Sequence, residues 1–264
     1  MNAILMAAIV GAAGGAIGGG AAWVLGKVLG RPPGWLKLLP VFCVVFALSL
    51  GRAFQSSADD GMMTEIDKLT PVQAVKSHYP DDYRRLETGV RRARSDDEVR
   101  RAVDETLISV IIRQKPKADA ASAAALYQVT RAEGRALQKS DPEGCAAFLD
   151  GRPAPGLARV QTPALRAQDR EATARLLEQA ATRPAAPAVP MSVDDLAQLS
   201  LKAIASFPEA KQNLVIDVLR SERDPRPGAE SRAMCDFNLA LADVILARPP
   251  AEAGALVRGI WAMK

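Results

Sequence analysis

A single histidine, His78, stands in the densest polar run of the chain, His78-Tyr79-Pro80-Asp81-Asp82-Tyr83-Arg84-Arg85. An imidazole with carboxylates three and four residues on is a minimal proton-transfer pair, or part of a metal site. An enzyme built from this sequence would therefore work through His78, Asp81 and Asp82. The same residues also fit a plain structural account, in which one helix ends near His78 and Pro80 opens the next. Acids then occupy the first turn, where the helix dipole favours them. With one histidine in the chain, a histidine-based metal cluster of the usual kind is not available. No serine lies in G-x-S-x-G, and neither a P-loop nor a G-x-G-x-x-G following a strand is present. The sequence points to no catalytic residue beyond that polar cluster, and to no metal or cofactor.

Redox chemistry is the second possibility. Cys43 lies in an apolar run and reads as a small apolar residue. Cys145 and Cys235 lie among apolar neighbours, Phe148 and Phe237, and fit one disulfide in an oxidising compartment. Two buried free thiols are the alternative if the body of the protein faces a reducing one.

Basic residues suggest a third possibility, and charge accounting removes it. The chain carries 34 basic and 30 acidic side chains, but Lys27, Arg31, Lys37 and Arg52 all precede Phe54. Beyond Phe54 the count is 30 against 30, so no electrostatic footprint for nucleic acid remains. The groups Arg84/Arg85, Arg91/Arg92/Arg94 and Arg100/Arg101 alternate with acids and read as paired, solvated helix faces, with lipid headgroups as the alternative partner.

The first 54 residues contain no acidic side chain. Ala3 to Gly26 is uncharged and, as a helix, about 36 Å long, enough to cross a hydrocarbon core of about 30 Å. Its flank, Met1-Asn2, lacks the basic side chain of a secretory signal, and the run exceeds a typical signal core, so it reads as an anchor. Leu38 to Gly51 is shorter, about 21 Å as a helix, and spans only if Lys37 and Arg52 snorkel from a segment running from Trp35 to Phe54. Arg31-Pro32-Pro33-Gly34 turns the chain between the runs. Lys27, Arg31 and Lys37 by the short loop outnumber Arg52 and Lys68 on the flanks. The positive-inside rule then places both termini outside, giving a periplasmic domain on a bacterial inner membrane.

Gly11, Gly15 and Gly19 form one stripe of the first helix, with Gly14 and Gly18 beside it. Small residues four apart let another helix approach to backbone distance. Over residues 11–26 the pattern resembles the glycine-zipper hairpins of bacterial envelope proteins. The resemblance implies packing against the second span or self-association, and no activity.

The remaining residues, 55–264, read as an all-helical soluble domain rich in Ala, Leu, Arg, Glu and Gln, hinged near 152–190. Ser95-Asp96-Asp97-Glu98 is a capping box leading into a helix with Val99, Val103, Leu107, Val110 and Ile111 on one face. Helices are expected at 117–140, from Pro142, at 165–182, from Val193, at 209–220, and near 229–247 and 250–262. Pro-rich segments at 152–163 and 183–190 separate them. The fold expectation is all-α: a two-helix transmembrane hairpin followed by a multi-helix body. The functional expectation is a non-enzymatic, membrane-anchored interaction or scaffold protein. Its partners are the bilayer, itself through the first helix, and an unidentified protein. The alternative is a membrane-tethered enzyme or envelope-processing factor using the region of His78, Asp81 and Asp82.

Overall fold

The computed structural model describes residues 59–263 apart from Pro153, Pro155 and Glu222. All regular structure among them is helical, so the body is all-α. The two apolar runs of residues 1–54, Cys43 and the glycine stripes lie outside the described residues. Among the described residues, no helix is long and apolar enough to cross a membrane.

Four helices open the body: α1 (Asp59–Ile66), α2 (Thr70–His78), α3 (Pro80–Arg92) and α4 (Asp96–Gln114). Ser95 caps α4 as its type predicts, its Oγ accepting from the Glu98 N–H at 3.3 Å. The reciprocal half of the box is shifted, because Glu98 Oε2 accepts from the Arg94 N–H at 2.6 Å. Thr70 does not cap α2; Leu69 precedes the first turn, and Pro71 fills a position whose missing N–H costs nothing. The expected apolar face of α4 is buried at Val99, Val103, Leu107, Val110 and Ile111.

The expected helix at 117–140 starts later. Lys115–Lys117 is a single 3-10 turn, and Asp119 caps α5 (Ala120–Ser140) by accepting from the Ser122 N–H at 2.7 Å. Asp141 then caps α6 (Pro142–Leu149) through the Gly144 N–H at 2.8 Å. A short turn, α7 (Leu157–Val160), interrupts the expected loop, and Thr162 caps α8 (Pro163–Thr182) two residues ahead of the expected start. Residues 183–191 form no helix. They cross the molecule as a strap, with Ala185 N–H bonded to the Lys117 carbonyl at 2.9 Å and Met191 N–H to the Gly259 carbonyl at 3.1 Å. Four helices close the chain: α9 (Val193–Ala205), α10 (Glu209–Arg220), α11 (Ala229–Leu246) and α12 (Pro250–Ala262).

Two apolar cores result. The first joins α1–α4 to α8 through Ile66, Val72, Leu86, Val103, Leu107 and Leu176, and takes Leu126 and Val129 from α5. The second joins α5–α7 to α9–α12 around Phe148, Phe237, Leu149, Leu241 and Ile245. Helix α5 serves both: Leu126 and Val129 enter the first core, while Tyr127, about 100° round the helix, and Leu137, about three turns further along, enter the second. Trp261 packs against both cores. Helix α12 packs closely on the start of α5, where a Cβ on Gly254 would overlap the Ala120 carbonyl, so only glycine fits.

Candidate functional site

The polar run at residues 78–85 is divided by the chain reversal at Tyr79, whose backbone (φ −133°, ψ 63°) breaks α2 from α3. His78, at the end of α2, lines an open groove of about 330 Å³ with Gln73 and Ser77 on one side and Glu171, Arg175 and Glu178 of α8 on the other. Neither Asp81 nor Asp82 lines that groove. Asp81 is exposed and pairs with Arg84. Asp82 is buried and pairs with Arg113 of α4 at 2.5 Å, with Arg85 at 3.4 Å.

The tyrosines of the run act as fasteners. Tyr79 Oη donates to the Leu177 carbonyl at 2.7 Å, and burial pushes its pKa up to about 12. Tyr83 Oη donates to Asp67 Oδ1 at 2.7 Å, and the other Asp67 oxygen takes Lys76. The segment thus ties the α1–α2 turn to α3, α3 to α4, and α2 to α8. The groove beside it offers an imidazole, two glutamates and an arginine to a polar solute. Glu171 and Arg175 already pair with each other along α8 at 3.1 Å. Among the described residues, no group of three or more His, Cys, Asp or Glu side chains is arranged to hold a metal ion.

A second polar cluster has no counterpart in the sequence reading. Glu133 of α5, Gln161 before α8, and Asp169 and Thr173 of α8 are all buried where α5 meets α8. Gln161 Nε2 donates to Glu133 Oε1. Both Asp169 oxygens and the Thr173 hydroxyl have no hydrogen-bond partner. Burial, with the neighbouring Asp169 charge, holds the Glu133 carboxyl well above its usual range, and burial pushes Asp169 up to about 7. In α4, Asp104 is likewise buried with both oxygens unpartnered, and burial pushes it up to about 8 against the opposing pull of Arg100. Lys115 is a further buried charge. Its ammonium sits 4.8 Å from the Trp261 ring centre, and burial holds its pKa well below the usual lysine value.

Sequence reading misses these acids because each sits in a helix of mixed Ala, Arg, Gln and Glu composition, where acids ordinarily face water. The only local signal is spacing: Asp169 and Thr173 lie on the same face of α8 as buried Ala172 and Leu176.

The structure joins Cys145 of α6 to Cys235 of α11, with Cα atoms 5.5 Å apart and 90 residues between them. Both are fully buried beside Phe148 and Phe237. Close by in sequence, Glu230 accepts both guanidinium nitrogens of Arg223, at 2.8 and 3.0 Å, as well as the side chain and N–H of Arg226. These donors hold its carboxyl well below the usual range and fasten the 223–228 loop to the start of α11.

No family model, no curated protein and no solved structure matches the chain.

Proposed function

We propose that this chain is a membrane-anchored, non-enzymatic interaction or scaffold protein of the bacterial cell envelope, with its helical body on the outer face of the inner membrane. The observation that carries the reading is a division of charge along the sequence. Four basic and no acidic side chains flank two apolar runs within residues 1–54, and a body with 30 basic and 30 acidic side chains follows. The Cys145–Cys235 bond supports the outward placement, since structural disulfides persist in oxidising compartments. The alternative, a tethered enzyme using His78, Asp81 and Asp82 together, is less favoured because His78 lines a groove that neither aspartate lines.

Such a protein works by holding its body at a fixed distance from the bilayer and presenting helix faces to partners. The glycine stripe of the first helix adds a means of self-association. The reading is tested by extracting membranes with alkaline carbonate and then treating spheroplasts with protease. A chain that stays in the pellet and loses its body to external protease supports it. A chain released by carbonate, or protected until the membrane is opened, overturns the anchor or the orientation respectively.

A further inference from the structure

Helix α3 carries a cationic surface that the fastening role of its tyrosines does not use. Arg84, Arg85 and Arg92, with Thr88 and Gly89, line an open groove of about 360 Å³ on one face of the helix. Their neutralisation is incomplete. Arg84 pairs with Asp81, but Arg85 shares Asp82 with Arg113, which lies closer to that carboxylate. Arg92 makes no ion pair among the described residues, and all three side chains are exposed. Thr88 adds no free donor, because its hydroxyl is bonded to the Arg84 carbonyl at 2.8 Å.

We infer that this groove seats the phosphate of an anionic lipid headgroup, drawn from the bilayer that residues 1–54 enter. The inference rests on the anchor reading above. Covalent geometry sets the distance. From Phe54 to Asp59 the chain reaches at most about 18 Å, and the eight residues of α1 add about 12 Å. Helix α1 packs on α3, and Tyr83, next to Arg84, is bonded to Asp67 one residue beyond α1. Adding the step to Asp67, its bond to the Tyr83 side chain and the step to Arg84 leashes the arginine face within roughly 50 Å of the end of the second span. A leash of that length lets the face reach the bilayer surface, where attraction to anionic lipid acts within a Debye length of about 10 Å. Guanidinium forks also match phosphate oxygens in pairs, which lysines would not do.

The test uses the full chain in nanodiscs containing either phosphatidylglycerol or only phosphatidylcholine. Arginines are labelled with phenylglyoxal and read residue by residue by mass spectrometry, with exposed Arg175 and Arg220 as internal references. Labelling of Arg84, Arg85 and Arg92 is expected to fall on the order of threefold or more in the anionic discs, with the references unchanged. The double variant Arg84→Gln, Arg92→Gln is expected to abolish the protection of Arg85. Equal labelling in both discs overturns the inference while leaving the anchor intact. Failure of the chain to enter discs of either kind overturns the anchor itself, and the inference with it. Protection by millimolar inorganic phosphate in a neutral detergent, without extra protection in anionic discs, assigns the groove to a soluble anion and overturns the lipid.

Discussion

The two cores are built by different means. The first, on α1–α4 and α8, is the half joined to the proposed anchor. It is rimmed by polar fasteners: Tyr83 and Lys76 on Asp67, Arg113 on Asp82, and Tyr79 on the Leu177 carbonyl. The second, on α5–α7 and α9–α12, has ion pairs of its own, among them Glu230 with Arg223 and Arg226 and Asp236 with Lys211, but is centred on two fully buried phenylalanines and crossed by the Cys145–Cys235 bond. Ionic and hydroxyl fasteners each contribute little and respond to pH and salt, whereas a covalent bond and buried aromatic area respond to neither. The difference is consistent with the proposed anchor, the half next to it being the one that would meet a charged surface.

That contrast can be broken from the second core first. Replacing Cys145 and Cys235 by Ala, or reducing the pair, should lower unfolding stability by about 4–5 kcal/mol, since the bond closes a loop of some 90 residues. Urea unfolding with and without reductant measures it, and a loss below about 1 kcal/mol would show the second core to be self-sufficient. Gly254→Ala should cost about 3 kcal/mol, because the new methyl meets the Ala120 backbone rather than a flexible side-chain tip. It should also loosen α12 from α5, which hydrogen exchange at the start of α5 would reveal.

In the first half, on α4, Asp104 supplies a pH signature. Its carboxyl is raised to about 8, so the folded state holds a proton that the unfolded chain releases near pH 4. Stability carried by this group is therefore present at low pH and is lost as pH rises from about 4 to 8. Asp104→Asn should flatten that decline by about 3–4 kcal/mol, read as the difference in urea-unfolding free energy between pH 5 and pH 8. An unchanged slope would mean that Asp104 is ionised within the fold. The smallest effect belongs to Tyr83→Phe, which removes one hydrogen bond to Asp67 and should cost about 1 kcal/mol. An equal cost at high salt would assign it to the hydroxyl bond, and a loss that vanishes with salt to the Lys76–Asp67 pair.

What the sequence disclosed follows the range of the interactions concerned. Ser95, Asp141 and Ser192 cap helices where their types say they should, since a cap is settled within four residues. The apolar face of α4 was legible for the same reason. The start of α5 was not. An Ala-rich stretch reads as helix from Lys117, yet Lys115 is buried against Trp261, nearly 150 positions away, and the chain tightens there into a 3-10 turn. The buried acids were illegible because Glu133 and Asp169 meet only when α8 packs on α5. His78, Asp81 and Asp82 mislead in the opposite sense. They are neighbours in sequence, but a proline restart sends His78 to the α8 groove and Asp82 to Arg113.

The central claim, an anchored body in an oxidising compartment, is tested most directly by thiol status in the native membrane. Free thiols are alkylated, the protein is digested without reductant, and the cross-linked peptide containing Cys145 and Cys235 is sought by mass spectrometry. The account predicts that peptide in nearly all copies, alongside an alkylated Cys43. Two free, alkylated thiols at 145 and 235 in the unfolded digest would contradict it and place the body on the cytoplasmic side.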